Sequence, residues 1–424
     1  MAASSTLNLS LIPPFSAKIQ FPPSLHIKST LNPTDQIQIN FPAIPQINNL
    51  RIVFSSGGTG GHIYPALSIS DELKNINPNT EILFLGSKNG MEKTLISSQG
   101  YNFAEIEAFP LIRPLISLRN VLIPFYLVKS MYNCWKLLRD FAPDIVVGTG
   151  GYVSFPVCFT AGMLRDVKMV IQEQNSVPGI ANWALSYLAD VIFVAFKESV
   201  KFFPKGKKCV VSGNPVRLSM RRYVSKAVAR LNYFPNARKK SLNEELRIVL
   251  ILGGSLGAQA INIALLHMYN QMFLEHENWY IIWQTGVKRF DEMDSLVKHH
   301  PRLVLTPFLH KVELAYAAAD LVVSRAGAMT CSEILATGKP SILIPSPNVA
   351  EGHQMKNASV MSELAGSKVI TEDELDSTTL KIAIEDILGN ETQMADMSKK
   401  AMKVAQPEAS LEIAQHIMSL AKSR

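Results

Sequence analysis

The stretch RIVFSSGGTGGH, residues 51–62, decides the fold. Residues 51–55 are mostly apolar and predict a buried strand, a glycine-rich turn follows, and Pro65 suits the first turn of a helix. The stretch RIVLILGGSLGA, residues 247–258, repeats this order in the second half of the chain. Two openings of the strand–glycine–helix type predict two Rossmann-like domains in tandem.

Further predicted strands alternate with helical stretches on both sides of this repeat. They are 81–85, 144–147, 168–172, 191–194 and 208–212 in the first half, and 279–284, 303–306, 321–324 and 341–344 in the second. The predicted helices include 119–140, 258–272, 373–388 and 391–421. This alternation predicts an α/β protein with a parallel sheet in each half. Ligands bind at the carboxyl ends of such strands, so we expect a site in the cleft between two facing domains.

The domain boundaries follow from changes in composition. The polar and basic stretch 216–246 interrupts the alternation and predicts a linker followed by the entry to the second domain. We therefore expect domains at 51–217 and 218–405, and a terminal helix at 406–424 that can pack back on the first domain.

Residues 1–50 differ from the rest of the chain. They are rich in Ser, Thr, Pro and Asn and contain Lys18, Lys28, Asp35 and no arginine. This composition, without an apolar signal core, favours a plastid transit peptide over a secretory signal, and an ordinary disordered tail is the alternative. We expect a chloroplast protein, peripheral on the stromal side of the inner envelope or thylakoid membrane.

The composition excludes several classes of protein. Of the 424 residues, 47% are hydrophobic and 18% charged, which is too apolar for intrinsic disorder. The four cysteines, Cys134, Cys158, Cys209 and Cys331, form no CxxC pair, so we expect neither a disulfide framework nor a zinc site. No run of eighteen uncharged apolar residues occurs, which argues against a spanning helix.

The net charge of +7 allows nucleic acid, an anionic membrane surface or a phosphorylated substrate as partner. Basic runs such as 205–208 are short and typical of solvated faces, so no nucleic-acid partner is predicted. The stretch 109–127 combines apolar residues with Arg113 and Arg119, and Lys129 follows. It suits either peripheral contact with an anionic membrane or a buried helix, and both interpretations stay open.

Three glycine-rich turns follow predicted strands, at 56–62, 148–152 and 253–257. Glycines let the backbone approach a ligand, and the next helix offers free amides and positive partial charge to a phosphate. A dinucleotide fingerprint starting at Gly58 would need glycine where Ile63 stands, and a P-loop would need a lysine. The three turns therefore predict a phosphate-rich ligand other than a nicotinamide dinucleotide.

His62 is the histidine of the first glycine turn. A neutral imidazole accepts a proton near pH 7, so His62 is a candidate general base. A histidine with only a structural hydrogen bond is the alternative.

The motifs of this chain resemble, in order, those of the MurG family of glycosyltransferases. The similarity extends over about residues 51–420. The matching motifs are GGTGGH (57–62) with Pro65, GTGGYV (148–153), EQN (173–175), GNPVR (213–217), GGSLGA (253–258), SRAGAMTCSE (324–333) and PSPNVAEGHQMKNA (345–358). The resemblance implies a GT-B fold, in which two Rossmann-like domains face each other across a cleft.

The resemblance also implies the reaction. An inverting transferase of this family moves N-acetylglucosamine from UDP-GlcNAc to the 4-hydroxyl of the muramoyl sugar of lipid I, a polyprenyl-diphosphate-linked acceptor, and forms lipid II for peptidoglycan. No Asp-x-Asp follows a predicted strand, so we expect a transfer without a metal or other cofactor.

Site residues are carried over motif by motif, with the acceptor in the first half and the donor in the second. His62 corresponds to the base. The residues expected on the acceptor side are Thr59, Gly60, Gly61, Gly150, Gly151, Tyr152 and Asn175. Those expected on the UDP-GlcNAc side are Arg217, Gly254, Ser255, Leu309, Ala328, Met329, Glu333, His353, Gln354 and Asn357, with Glu333 holding the ribose hydroxyls.

One position departs from the family pattern. Gln172 stands where the family usually has a histidine before EQN. A role that needs an imidazole would be lost there, whereas a hydrogen-bonding or packing role would survive.

Two other functions stay open at this stage. One is a plastid galactolipid synthase-like enzyme that uses UDP-galactose and diacylglycerol. The other is a catalytically silent scaffold of plastid division, which Gln172 favours slightly and the intact His62 and Glu333 oppose.

Overall fold

The computed structural model describes residues 49–88, 90–110, 121–237, 245–348 and 352–422. The predicted transit peptide lies outside these residues, apart from its last two positions. In the described part of the chain, strands and helices alternate as the glycine turns suggested, and two parallel sheets form.

The first half contains a seven-stranded parallel sheet in the order β3-β2-β1-β4-β5-β6-β7. Its strands are β1 (Arg51–Ser55), β2 (Glu81–Ser87), β3 (Asn102–Ile106), β4 (Ile145–Gly148), β5 (Lys168–Glu173), β6 (Val191–Val194) and β7 (Cys209–Val211). Its helices are α1 (Gly60–Ile76), α2 (Met91–Ser98), α3 (Ile123–Phe141), α4 (Ser154–Gly162) and α5 (Ile180–Leu185).

The second half contains a six-stranded parallel sheet in the order β10-β9-β8-β11-β12-β13. After α6 (Lys226–Tyr233) come β8 (Arg247–Leu252), α7 (Gln259–Glu275), β9 (Trp279–Gln284), α8 (Phe290–Leu296), β10 (Leu303–Thr306), α9 (Val312–Ala318) and β11 (Leu321–Ser324). The chain continues with α10 (Ala328–Thr337), β12 (Ser341–Leu343), α11 (His353–Ala365), β13 (Lys368–Val369), α12 (Ser377–Leu388), α13 (Glu391–Val404) and α14 (Ala409–Lys422).

The first strand of each half lies at the centre of its sheet. β1 pairs with β2 and β4, and β8 pairs with β9 and β11, so the strand order reverses at both. Such a strand is covered by helices on both faces, which explains why its residues are almost all apolar and buried. The crevice at the carboxyl end of a switch strand is where α/β sheets bind ligands, and both glycine turns lie there.

The GT-B arrangement of two Rossmann-like domains is confirmed, while individual elements differ from the sequence prediction. β3 was not predicted because NFAEI is half polar, and β13 has only two residues. The predicted helix 391–421 is two helices, α13 and α14, separated at Gln406 and Pro407.

The stretch 216–246 is more than a linker. Its helix α6 packs against α9 of the second half, with Ala229 and Phe234 buried. Arg230 donates from Nη2 to both carboxylate oxygens of Asp320, at 2.8 and 2.6 Å, and the backbone amide of Ile248 donates to the same carboxylate. The residues before β8 therefore belong to the second half.

The end of the chain returns to the first half. α14 packs against α1, and its residues Ile413, Ile417 and Met418 are fully buried. Gln406, just before α14, lies against Gly213, near the point where the chain passes from the first half to the second. A Cβ on Gly213 would lie 2.8 Å from the Gln406 side chain. The chain thus crosses between the halves twice, at adjacent points.

Candidate active site

His62 lies in the first turn of α1, directly after the first glycine turn. Its Nδ1 is 3.1 Å from the carbonyl oxygen of Thr149 and 3.0 Å from Oε1 of Gln174. Gln174 is oriented by its Nε2, which donates to the same carbonyl at 2.7 Å. Since both neighbours of Nδ1 are acceptors, Nδ1 carries the proton and Nε2 is the basic nitrogen.

The first and second glycine turns pack closely around this histidine. Gly150 and Gly151 have positive φ angles of 97° and 84°. A Cβ on Gly150 would lie 2.9 Å from His62 Nδ1, and one on Gly151 would lie 2.3 Å from the carbonyl oxygen of Gly57. The second turn therefore requires glycine both for its backbone conformation and for its contact with the first turn.

The remaining acceptor-side candidates surround the amino end of α1. Thr59 is its exposed N-cap residue, and Gly60 and Gly61 are its first two residues. The ring of Tyr152 lies against the first turn, 3.4 Å from the Cβ position of Gly58. Unpaired amides and the positive end of the helix dipole make this place suitable for an anion.

Asn175 is presented by a rigid loop after β5. The buried Glu173 carboxylate accepts hydrogen bonds from the amide and the side chain of Asn175, at 2.9 and 3.1 Å. It also accepts from the amide of Gly179 and the side chain of Asn182, at 3.1 and 2.8 Å. Four donors satisfy this carboxylate and fix the loop around it.

Glu333 is the buried acid of the second half. It lies on α10, is 8% exposed, and accepts a hydrogen bond at 3.2 Å from the hydroxyl of Tyr316. Burial raises the pKa of the Glu333 carboxyl, although the guanidinium of Arg217 and the Tyr316 hydrogen bond oppose this. Burial and the neighbouring carboxylate also raise the pKa of Tyr316 well above its ordinary value.

Arg217 lies between the two halves. Its Cζ is 3.6 Å from the centre of the Tyr64 ring on α1, and its charge acts on Glu333 of α10. This cation therefore contacts an aromatic face of the first half and is attracted by a carboxylate of the second. Arg217 is therefore placed to meet negative charge that enters there.

The other donor-side candidates lie mostly at the carboxyl edge of the second sheet. Gly254 and Ser255 form the turn after β8, and the side chain of Gln284 bridges this turn to Leu309. Its Nε2 donates to the carbonyl of Gly254 at 3.0 Å, and its Oε1 accepts from the amide of Leu309 at 3.1 Å. Ala328 opens α10, and Met329 follows it. Because β8, β11 and β12 are neighbours, the turns that follow them meet at one edge.

The residues of α11 are already engaged within the protein. His353 is buried at the first position of the helix, and Gln354 Oε1 accepts from the amide of Ser346 at 2.8 Å. Asn357 is fully buried and accepts at Oδ1 from the amide and hydroxyl of Ser176, at 3.1 and 3.0 Å.

Asn357 also joins the two predicted sides of the site. Its Nδ2 donates to Oδ1 of Asn175 at 3.3 Å and to the carbonyl of Ala326 at 3.2 Å. Contact of Asn357 with a sugar hydroxyl stays a prediction, and in this structure the residue bridges the halves.

Sequence reasoning missed four residues that shape the site. Gln174 and Asn214 lay inside motifs that had been recognised, but nothing local indicated their contacts. Tyr64 follows two residues after His62, where a helix turn brings it under Arg217. Tyr316 had no signal, because a single tyrosine outside every motif is usually part of the core.

One cluster within the described residues has the composition of a metal site. One ligand atom each of Glu275, His276 and Glu385 lies within 4.8 Å of the others. Lys381 forms ion pairs with both carboxylates, so a cation already balances them. His276 follows the 17 residues of α7, roughly 25 Å along the helix from the third glycine turn. We assign this cluster no part in the site.

Models of protein families match both halves of the chain. The model described as the glycosyltransferase family 28 N-terminal domain matches residues 52–194. The model described as the C-terminal domain of the same family matches residues 248–416. The two matches together cover most of the chain.

Individual relatives extend this result over nearly the whole described chain. A Flavobacterium psychrophilum protein is 39% identical over 88% of this chain and 98% of its own length, and one from Salinibacter ruber is 38% identical over 88% and 97%. Both are named UDP-N-acetylglucosamine–N-acetylmuramyl-(pentapeptide) pyrophosphoryl-undecaprenol N-acetylglucosamine transferase. The crystal structure of Acinetobacter baumannii MurG is similar, with a TM-score of 0.67, 27% identity and coverage of 88% of this chain and all of that one.

Two Rossmann-like halves, each matched by a domain model of one glycosyltransferase family, define a two-domain glycosyltransferase. The matches in both halves agree with this class. The chain belongs to glycosyltransferase family 28 and, within it, to the MurG family.

The burial of Glu333 predicts a stability that depends on pH. The pKa of the Glu333 carboxyl is higher in the folded protein than in the unfolded chain, so the unfolded chain releases the carboxyl proton at a lower pH. The free energy of unfolding therefore falls as the pH rises from the ordinary pKa of 4.5 to the raised pKa of the folded protein. Glu333→Gln removes this cost. We expect the variant to melt about 2–4 °C above the wild type at pH 8, with a smaller difference at pH 5.

Thermal unfolding at both pH values checks this expectation. The exposed Glu363→Gln is the control and should follow the wild type at each pH. An equal or lower melting temperature for Glu333→Gln at pH 8 would show that the carboxylate is stabilised where it lies.

Proposed function

We propose that this protein transfers N-acetylglucosamine from UDP-GlcNAc to the 4-hydroxyl of the muramoyl sugar of lipid I, with inversion at the anomeric carbon. The names of the 38–39% identical relatives, which the chain matches over almost their full length, support this reaction. The galactolipid and scaffold alternatives have no comparable support.

The observation that carries the proposal is the pair of acceptors, the Thr149 carbonyl and Gln174 Oε1, that lie within 3.1 Å of His62 Nδ1. With Nδ1 held by Thr149 and Gln174, Nε2 is the basic nitrogen, and an imidazole in this state can take a proton from a hydroxyl. In the proposed step, Nε2 removes the proton of the acceptor 4-hydroxyl. The oxygen attacks the anomeric carbon of GlcNAc, a new carbon–oxygen bond forms, and the bond to UDP breaks.

The amino end of α1 and the second glycine turn suit the acceptor diphosphate. Gly60 and Gly61 offer amides there, while Thr59 and Tyr152 lie beside the first turn and Asn175 follows β5, the neighbour of β4. On the donor side, a carboxylate accepts two hydroxyls at once, which suits Glu333 to the ribose.

The leaving group carries the negative charge of the reaction. UDP departs as a diphosphate, so the site has to stabilise charge rather than supply a strong acid. We assign this to Arg217, the amides of the Gly254–Ser255 turn and the amino end of α10, without a metal or other cofactor. Activity that persists in EDTA would support this assignment, and loss restored by Mg²⁺ would overturn it.

The proposed reaction can be tested with the full chain, radiolabelled UDP-GlcNAc and a lipid I analogue. We expect label in the lipid product. His62→Ala should lower transfer by about 10²–10⁴, the usual contribution of a general base, and should leave UDP-GlcNAc affinity unchanged.

The control variant is His267→Ala, which removes an exposed histidine of α7 and should keep wild-type activity. Wild-type turnover by His62→Ala would exclude His62 as the base. Saturable UDP-GlcNAc binding without transfer would favour the silent scaffold, and transfer from UDP-galactose to diacylglycerol would favour the galactolipid enzyme.

We further propose that α3 contacts an anionic membrane surface. Its apolar face, which we call the α3 face, consists of Leu122, Phe125, Val128, Tyr132 and Trp135. These side chains are 40–69% exposed although they recur at helical spacing along one side. Lys129, Lys136 and Arg139 are exposed on the same helix. No helix of the described residues is long and apolar enough to span a bilayer.

An exposed apolar face flanked by cations suits the interface of an anionic bilayer, where a lipid-linked acceptor resides. Arg113 and Arg119, which the sequence also suggested for this contact, lie outside the described residues. The exposure of the α3 face argues against the alternative of a buried helix.

Sedimentation with vesicles of phosphatidylglycerol and phosphatidylcholine tests the membrane contact. Phe125→Ser with Val128→Ser is expected to weaken binding at least about tenfold, because two apolar side chains no longer enter the interface. The control is Leu274→Ser with Val287→Ser, which changes equally exposed apolar residues of the second half. Equal vesicle binding by both double variants would rule out membrane contact through the α3 face.

We propose a plastid as the place of action, on the composition of residues 1–50. The full chain carrying a fluorescent protein at its carboxyl end should coincide with chlorophyll in leaf cells, and removal of residues 1–48 should leave it in the cytosol. Cytosolic fluorescence of the full chain would contradict this proposal.

A further inference from the structure

Behind His62, buried side chains form a continuous line of hydrogen bonds that ends in the other half. His62 Nδ1 donates to Gln174 Oε1 at 3.0 Å, and Gln174 Nε2 donates to Gln172 Oε1. Gln172 Nε2 donates to Asn214 Oδ1 at 3.1 Å, and Asn214 Nδ2 donates to Ser332 Oγ at 2.9 Å. Ser332 lies on α10, next to Glu333.

Every side-chain amide in this line of hydrogen bonds points in the same direction. Each one accepts from the side of His62 and donates toward α10. Backbone carbonyls fix both ends, because Thr149 accepts from His62 and Gln174, and Ala328 accepts from the Ser332 hydroxyl at 3.0 Å. A carbonyl cannot donate, so the direction cannot reverse at either end.

Burial makes the arrangement rigid. Gln172, Gln174 and Asn214 are 0%, 2% and 3% exposed. A flipped amide would place two donors or two acceptors face to face without water to satisfy them, which is costly in the interior. The line therefore has one low-energy arrangement in this structure.

We propose that Gln174, Gln172 and Asn214 are positioning residues. They link the orientation of the His62 ring to the position of α10, so that the base is ordered when α10 of the second half occupies the position seen in this structure. This inference rests on the proposed function, because it assigns His62 as the base and α10 as the donor helix. None of the three amides needs to touch a substrate for this role.

Gln172 is the central member and the best position to test. An amide donates and accepts at once and does not titrate. A neutral imidazole can do the same with its two nitrogens, whereas a protonated imidazole has two donors and would face the Gln174 donor with a hydrogen. Gln172→His should therefore preserve the line of hydrogen bonds at high pH and interrupt it at low pH.

The charged and titratable groups near this position are few among the described contacts. Glu173 is adjacent on β5 and bonded to Asn182, His62 closes one end, and Glu333 lies beside the other end. His416 of α14, which packs against β5, contacts the ring of Phe193, the neighbour of Gln172 on β6. All of these groups are present in the wild type as well, so a loss of kcat at low pH that only Gln172→His shows reports the introduced imidazole.

The kinetic experiment measures kcat and KM for UDP-GlcNAc between pH 6 and pH 8.5 in the full chain. Gln172→Leu should lower kcat about tenfold at every pH, the worth of one hydrogen bond, with KM changed less than about twofold. Gln172→His should stay within about threefold of wild-type kcat at pH 8.5 and fall at least about fivefold more than the wild type by pH 6. Melting temperatures identify any variant that fails to fold.

Two serine variants of matched chemistry test the far end of the line. Ser332 and Ser359 each donate to the carbonyl four residues earlier in a helix, but only Ser332 also accepts from Asn214. Ser332→Ala should lower kcat several-fold, and Ser359→Ala should not. Equal kcat for the two variants, or a Gln172→His profile parallel to the wild type, would overturn the inference.

A measurement without the acceptor separates this inference from the proposed reaction. The ¹⁵N signals of the His62 ring, assigned by their loss in His62→Gln, should move when UDP binds the wild type, and should move less than half as far in Gln172→Leu. Equal movement in both, or none in the wild type, would refute the coupling. A wild type that shows this movement but transfers no GlcNAc would refute the proposed reaction alone.

Discussion

The contact between the first two glycine turns is the constraint on which the site depends. The backbone of Gly151 lies so close to the carbonyl of Gly57 that a single methyl group would force the turns apart. This approach places Thr149 under His62 and brings the amino end of α1 beside the carboxyl end of β4. The absence of two side chains therefore permits the approach in which Thr149 and Gln174 accept from Nδ1 and set the tautomer of the histidine.

The two halves are joined chiefly by neutral hydrogen bonds where they face each other. Asn357 bridges Asn175 and Ser176, and Asn214 reaches Ser332. Two charged contacts also join the halves: Arg217 lies over the Tyr64 ring, and Arg221 pairs with both Glu72 and Glu408. The connection between the halves therefore combines a mostly buried set of neutral hydrogen bonds with an ion-pair cluster at the connecting segments.

The sequence predicted the strands that are apolar runs, including the three that a glycine turn follows. It failed where only tertiary contacts decide. β3 is an edge strand with polar residues, and α6 is attached through isolated apolar side chains and the Asp320 carboxylate. In the site, the glycine turns and Glu333 were recognisable by motif, but Gln174 meets His62 across 112 positions of sequence. Gln172 departs from the family pattern in sequence, and in the structure its side chain both donates and accepts within the buried line of hydrogen bonds.

The return of α14 to α1 has a consequence for how the protein is made. The first sheet is synthesised early, yet the apolar face of α1 stays uncovered until α14 itself has left the ribosome. The first half is therefore begun first and completed last, after the second half has had time to fold. A chain that stops before α14 would keep both parallel sheets but expose the apolar surface of α1 that α14 covers.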